Sequence, residues 1–355
     1  MASETVASET VAERASVRPK FQFSRWAPIA AMGLLIVLLG AYTNNKDSSF
    51  LTTYNLNGVM IATLPLALAA MGQTSALMVK AFDVSVGALM TLCLVVASFV
   101  LGPDESWPSL LLGMLLVIAI ALGVGAVNVI LIRYLKLSSI IATLATYSAL
   151  QGVCLWLRPI AEGPISFKFV DKVLYAFGFM PVALIVLGVI AVTADIWLYR
   201  TSGGLAARAM GLDEEAAARR GVRVAYLFVR AFFITAFAAA LGGLFLAAQV
   251  QVGDPNAGFS FTLTSIAAAV LGGASLLGGR GSFIGAVIGA LFLNVIINIL
   301  PYLGWEVSYG NISVGLLTLV ALSFYQAPEL MRRAKTAIAN FRLARGGSGA
   351  LADEV

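Results

Sequence analysis

The chain has 355 residues, 60% hydrophobic and only 12% charged, with a formal net charge of +5 and no histidine. Soluble domains carry roughly 25% charged residues, so this composition excludes them and reads as a polytopic membrane protein. The missing imidazole excludes Ser-His nucleophiles and His-ligated metals, and neither a Gly-Lys pair for a phosphate-cradling Walker A turn nor a Gly-x-Ser-x-Gly elbow occurs.

Residues 1–25 begin with Ala-Ser-Glu-Thr-Val twice over and then turn basic, a low-complexity stretch expected to be a disordered tail. Ten apolar stretches follow, near 27–42, 57–79, 84–101, 109–132, 137–157, 179–198, 225–248, 260–277, 282–300 and 311–326. Their lengths suit membrane-spanning or re-entrant helices, so the expected fold is all-α with a transmembrane domain over 26–328. No small-residue cleavage site precedes Tyr42, which makes the first stretch a retained helix. Residues 329–355 form a basic terminal tail.

Alternating the spans with the N-terminus inside leaves only Lys46, Arg158, Lys168 and Lys172 outside, of 23 Lys and Arg. That asymmetry satisfies the positive-inside rule and places both termini and the 200–224 loop in the cytoplasm. An anionic cytoplasmic leaflet accounts for the basic balance without nucleic acid. Cys93 and Cys154 fall within spans and read as small hydrophobes.

Two glycine-punctuated polar stretches interrupt the apolar pattern, Lys80-Ala-Phe-Asp-Val-Ser-Val-Gly87 and Leu271-Gly-Gly-Ala-Ser-Leu-Leu-Gly-Gly-Arg-Gly-Ser282. Broken helices in corresponding halves point to a transport pathway and to an inverted repeat. The candidate path or gate residues are therefore Asp83, Ser85 and Gly87 with Gln73, Asn128, Thr143 and Thr262, and Gly272, Gly273, Ser275, Gly278 and Gly279. Each has a plainer reading. Asp83 suits a helix start, the polar groups suit bonds between helices, and the glycines suit close packing.

Between 199 and 226 lies the one strongly charged segment inside the apolar region. Asp213, Glu214 and Glu215 would occupy the first turn of a short helix and Arg219 and Arg220 its last, complementing the dipole, with Glu215 and Arg219 paired at i,i+4. Gly211 and Gly221 would punctuate its ends. Such a helix outside the bilayer is a handle for a soluble partner. With no ATP site of its own, the chain would draw energy from another subunit, or from an ion gradient through Asp83.

These residues together resemble the membrane-spanning permease family of ribose-type (monosaccharide) ABC importers, from about Phe50 to Pro328. The likeness rests on Ile266-Ala-Ala-Ala-Val-Leu-Gly-Gly-Ala-Ser-Leu-Leu-Gly-Gly-Arg-Gly-Ser282, on Glu215-Ala-Ala-Ala-Arg-Arg-Gly221, and on Phe50-Leu-Thr-Thr-Tyr-Asn-Leu, Asp83-Val-Ser-Val-Gly and Tyr134-Leu-Lys-Leu-Ser-Ser-Ile-Ile-Ala-Thr in the first half. The resemblance implies a non-enzymatic, multi-pass subunit of the bacterial inner membrane that imports a monosaccharide or similar small polar solute. It implies a coupling helix at 208–223, with Gly211, Asp213, Glu214, Glu215, Ala217, Arg219 and Gly221, docked on a cytoplasmic ATPase subunit. That partner would bind ATP and Mg, leaving this chain without cofactor, metal or catalytic residue. A second permease copy, as a homodimer, and an extracytoplasmic solute-binding protein complete the expected assembly. Lys80-Ala81 stands where the family usually has Gly-Gly, Ser138-Ser139 where it has Pro-Pro, and Thr262 and Thr264 where it commonly has acids. A substrate other than ribose follows, with amino acids or nucleosides as the near alternative.

Overall fold

A computed structural model of the chain describes residues 23–306, 308–310, 312–316 and 319. The expected tails, apart from residues 23–25, and the end of the tenth stretch lie outside these. Long apolar runs become α1 (Phe23–Lys46), α2 (Thr53–Met78), α4 (Trp107–Val129, prolonged by a π turn over Ile130–Tyr134), α5 (Ser139–Leu157), α7 (Val182–Arg200), α10 (Val224–Val250) and α12 (Phe283–Tyr302). Among the described residues these seven are long and apolar enough to cross a membrane. Shorter helices are α3 (Val86–Val100), α6 (Phe167–Val173), α8 (Ser202–Leu212), α9 (Glu214–Arg219) and α11 (Phe261–Leu271). Side chains of Thr52, Ser138, Thr201, Asp213 and Ser282 accept from backbone N–H groups at the starts of α2, α5, α8, α9 and α12. Each satisfies a donor that the helix itself leaves open.

Two helices form the centre. In α2 and α10, 83% and 72% of the apolar window is buried, against 22–28% in α1, α4, α5 and α7. The central pair packs together, with α11 and α12 against α2 and with α3 and α4 against α10. Cys93 and Cys154 are buried free thiols in the same apolar cluster.

The eighth stretch departs from expectation. Instead of one span over 260–277, α11 stops at Leu271, since Gly273 turns to φ +99°. Its 11 residues reach about 16 Å, half a hydrocarbon core. The segment before it, 251–260, is non-helical. Gln251 ends α10 in the left-handed region at φ +60°. β4 (Val252–Gly253) then pairs antiparallel with β1 (Glu162–Pro164), while β2 (Ala176–Phe177) and β3 (Met180–Pro181) form a separate ladder. Gly253 lies against Ser98 near the end of α3, and Gly258 against Thr91 and Gly87 near its start, so 253–258 runs the length of α3 without helix. Surrounding protein makes that tolerable at membrane depth. The backbone therefore leaves helix over 251–260 in addition to the expected break at 272–282.

Candidate functional site: two clusters on the end of α2

The last two turns of α2 carry two polar clusters. The first is the loop 79–85 before α3. Gln73 donates from Nε2 to the Asp83 carbonyl, and Asp83 Oδ1 accepts from the backbone N–H and hydroxyl of Ser85. Asn128 of α4 donates to Ser85 Oγ at 2.9 Å and accepts from Thr146 of α5 at 2.6 Å. Thr143 accepts from the Val84 N–H at 3.0 Å, and Ser139 from that of Phe82 at 3.2 Å. Gln73, Asp83, Ser85, Asn128, Thr143 and Thr146 are all buried, so α2, the loop, α4 and α5 are tied together by side-chain bonds. Asp83 closes a turn into α3, while Ser85 holds the cap position.

Gly87 and Thr262 meet beside this network. A Cβ on Gly87 would overlap Thr262 Oγ1 and lie 2.7 Å from the Gly258 carbonyl, so glycine alone lets the broken crossing approach α3. Two buried oxygens here, Gln73 Oε1 and Thr262 Oγ1, have no hydrogen-bond partner. Such groups are costly unless water or a solute reaches them.

The second cluster is the loop 272–282, on the side of the charged handle. Close backbone contacts hold most of it, and the Tyr199 hydroxyl donates to the Gly281 carbonyl at 2.7 Å. Gly279 donates its N–H to the Met78 carbonyl at 3.0 Å. A Cβ on Gly211 would overlap both Met78 O and Gly279 N, and one on Gly278 would lie 3.0 Å from Lys80 Cβ. Gly278 and Gly279 take φ +84° and +72°, conformations that suit glycine. Gly272 meets Gly285 of α12 so closely that neither accommodates a Cβ. Ser275 receives the Leu277 N–H at 3.2 Å within the turn.

The handle itself is two helices, not the single one bounded by Gly211 and Gly221. Asp213 adopts φ −153°, breaks the chain, and accepts from the Ala216 N–H at 2.9 Å, so it caps α9 instead of lying in its first turn. Gly211 is buried inside α8. Gly221, at φ +82°, does end α9, with the Val222 N–H returning to the Ala217 carbonyl. Ala217 is buried; Glu215 and Arg219 are exposed and 3.6 Å apart. Glu214 pairs with Arg133 of the π turn at 2.8 Å.

Sequence reasoning passed over Asp195. Buried in α7, it accepts from Ser282 Oγ at 2.6 Å and from the Phe283 N–H at 2.8 Å, at the positive end of α12. A lone acid inside an apolar stretch was the available signal. Thr235, which donates to the Gly72 carbonyl at 2.9 Å, gave none. Among the described residues no three His, Cys, Asp or Glu side chains converge on a metal site.

A family model described as branched-chain amino acid transport system / permease component matches residues 55–322. The autoinducer 2 import system permease protein LsrC of Escherichia coli O9:H4 (strain HS) is 32% identical over 303 residues, covering 82% of this chain and 84% of that protein. The protein of that name from Salmonella paratyphi B is 31% identical over 297 residues, with 82% and 84% covered. No solved structure matches the chain. A match over most of the length, on an all-helical membrane architecture, makes the chain a member of this permease family: the membrane-spanning component of an ABC importer, in which the ATPase is a separate subunit.

Proposed function

We propose that the chain imports a small, uncharged, sugar-like solute by alternating access, with α8 and α9 as the element through which the ATPase drives it. One observation carries this reading. At Gly211, Gly279 and Met78 the backbones of the handle, the glycine loop and the central helix meet with no side chain between them. Close-packed contacts transmit displacement because no soft layer absorbs it. Motion of α8 therefore shifts α2 and 275–281 together, between two discrete packings. Leu205, Leu212, Glu215 and Arg219 are exposed on α8 and α9 and face the partner.

Gln73, Asp83, Ser85, Gly87, Asn128, Thr143 and Thr262 form the gate of the path, supported by the two unpartnered oxygens at Gln73 and Thr262. An amino acid would need groups for its ammonium and its carboxylate. The one acid here, Asp83, is engaged by Ser85, which favours a hydroxylated, uncharged solute and agrees with the autoinducer 2 named for the relatives. The glycines from Gly272 to Gly279 belong to the transmission rather than to the lining.

The assembly would hold two copies of this chain, an ATPase pair binding ATP and Mg, and an extracytoplasmic binding protein. Both termini lie on the cytoplasmic side of a bacterial inner membrane. Arg158, bonded to Ser98, marks the outer end, and Lys80 and Arg133 mark the handle end. Two inverted halves of about ten helices are supported by α2 and α10, long buried helices each followed by a break and a short helix.

Purifying the tagged chain in mild detergent is expected to bring down a Walker-motif ATPase. Gly279→Ala, whose methyl would lie 2.6 Å from Leu212 Cγ, is expected to keep that complex while uncoupling hydrolysis from uptake. A chain that purifies alone and moves solute under an ion gradient would sink the reading.

A further inference from the structure

α7 and α10 both lean on α2, and between them lies an open cleft of about 260 Å³. Leu68 and Met71 of α2 form its floor, Leu187 and Ile190 of α7 one wall, and Ile234 and Phe237 of α10 the other. Along α7 it runs from Leu187 to Leu198. At helical rise that is about 16 Å, close to the ~15 Å thickness of one leaflet's hydrocarbon.

The cleft is apolar except at its handle end. There Arg230 places its guanidinium carbon 4.2 Å from the centre of the Trp197 ring. No carboxylate pairs with Arg230 among the described residues. Ala207 closes that end. A guanidinium stays charged in such a setting, and its donors require acceptors. On a membrane-facing wall the abundant acceptor is a lipid phosphate.

We propose that this cleft binds one anionic phospholipid from the handle-side leaflet, its acyl chain between α7 and α10 and its phosphate on Arg230. A second copy of this chain fits less well, because it offers no exposed carboxylate from a described span. Asp195, the one acid within those spans, is buried and taken up by Ser282 and Phe283. Since α7 leads through Thr201 directly into α8, the lipid is placed to bias the handle. The proposal is independent of which solute is carried.

The test follows thermal unfolding of the full-length chain in neutral detergent with added phosphatidylglycerol or phosphatidylcholine. Phosphatidylglycerol is expected to raise Tm by several degrees more than phosphatidylcholine. Arg230→Gln should abolish that difference, whereas Lys136→Gln, an exposed handle-side control, should keep it. Ala231→Phe narrows the cleft with Arg230 in place and should also remove it, which guards against an Arg230 variant that misfolds. Equal shifts from the two lipids overturn the proposal, as does a headgroup-specific shift that survives Arg230→Gln or Ala231→Phe. Cross-linking of Ile190→Cys between two chains would assign the cleft to a second copy instead.

Discussion

The stretches 80–87 and 271–282 look alike in sequence, both short, polar and punctuated by glycine, yet they are fastened by different means. The first is held by side chains, with Gln73, Asn128 and Thr143 reaching it from α2, α4 and α5 and Thr146 holding Asn128. The second is held mainly by close backbone packing, where Gly211, Gly272, Gly278, Gly279 and Gly285 admit no intervening methyl, and by side chains at its end, where Tyr199 donates to the Gly281 carbonyl and Ser282 to Asp195. A bonded loop can lose one partner and keep its place through the rest. A close backbone joint leaves little soft material between the parts it connects, so it passes displacement on. The pattern of glycine and serine thus serves a fixed gate in one place and a mechanical link in the other.

Substitutions break this contrast in order of size. Gly285→Ala drives a methyl into the Gly272 carbonyl and should cost about 3 kcal/mol or more through overpacking. Thermal unfolding in detergent measures it, and an unchanged Tm would refute the backbone joint. Asn128→Ala strips a donor from Ser85 and an acceptor from Thr146, an intermediate loss of about 1–3 kcal/mol. In a double-mutant cycle with Thr146→Val the losses should be non-additive; simple additivity would mean the network is not a unit. Lys80→Gly has the opposite sign. Lys80 adopts φ +61°, a left-handed conformation disfavoured for a residue with a Cβ, so glycine should stabilise the loop by up to about 1 kcal/mol. A destabilised variant would show that the lysine side chain, and not its backbone, is what the position requires.

That last position explains one departure from the family pattern. Lys80 stands where relatives of the ribose type usually carry glycine, and the backbone still takes the glycine conformation. Other features resisted reading. The glycine stretch at 271–282 was legible as a break, but the non-helical run over 251–260 was not, because nothing in its local pattern shows that α3 would lie along it. The handle read as one helix because its acids and bases suit a dipole. Its division at Asp213 follows from the side chain capping α9, and the burial of Gly211 from contact with Met78 and Gly279. Asp195 was overlooked because nothing near it in sequence announces the Ser282 hydroxyl it receives.

By itself, then, the sequence determined residence in a membrane, the position of the seven long apolar helices, the charged handle and the permease family, since apolar length and local charge are properties of contiguous residues. Only the tertiary structure decided which polar groups meet, which glycines are joints and that the chain also leaves helix over 251–260. Partners such as Ser85 and Asn128, or Gly211 and Gly279, lie tens of positions apart along the chain. Whether such a residue is a lining, a clamp or a hinge depends on what faces it across the packed helices, and hydrophobic periodicity carries no record of that.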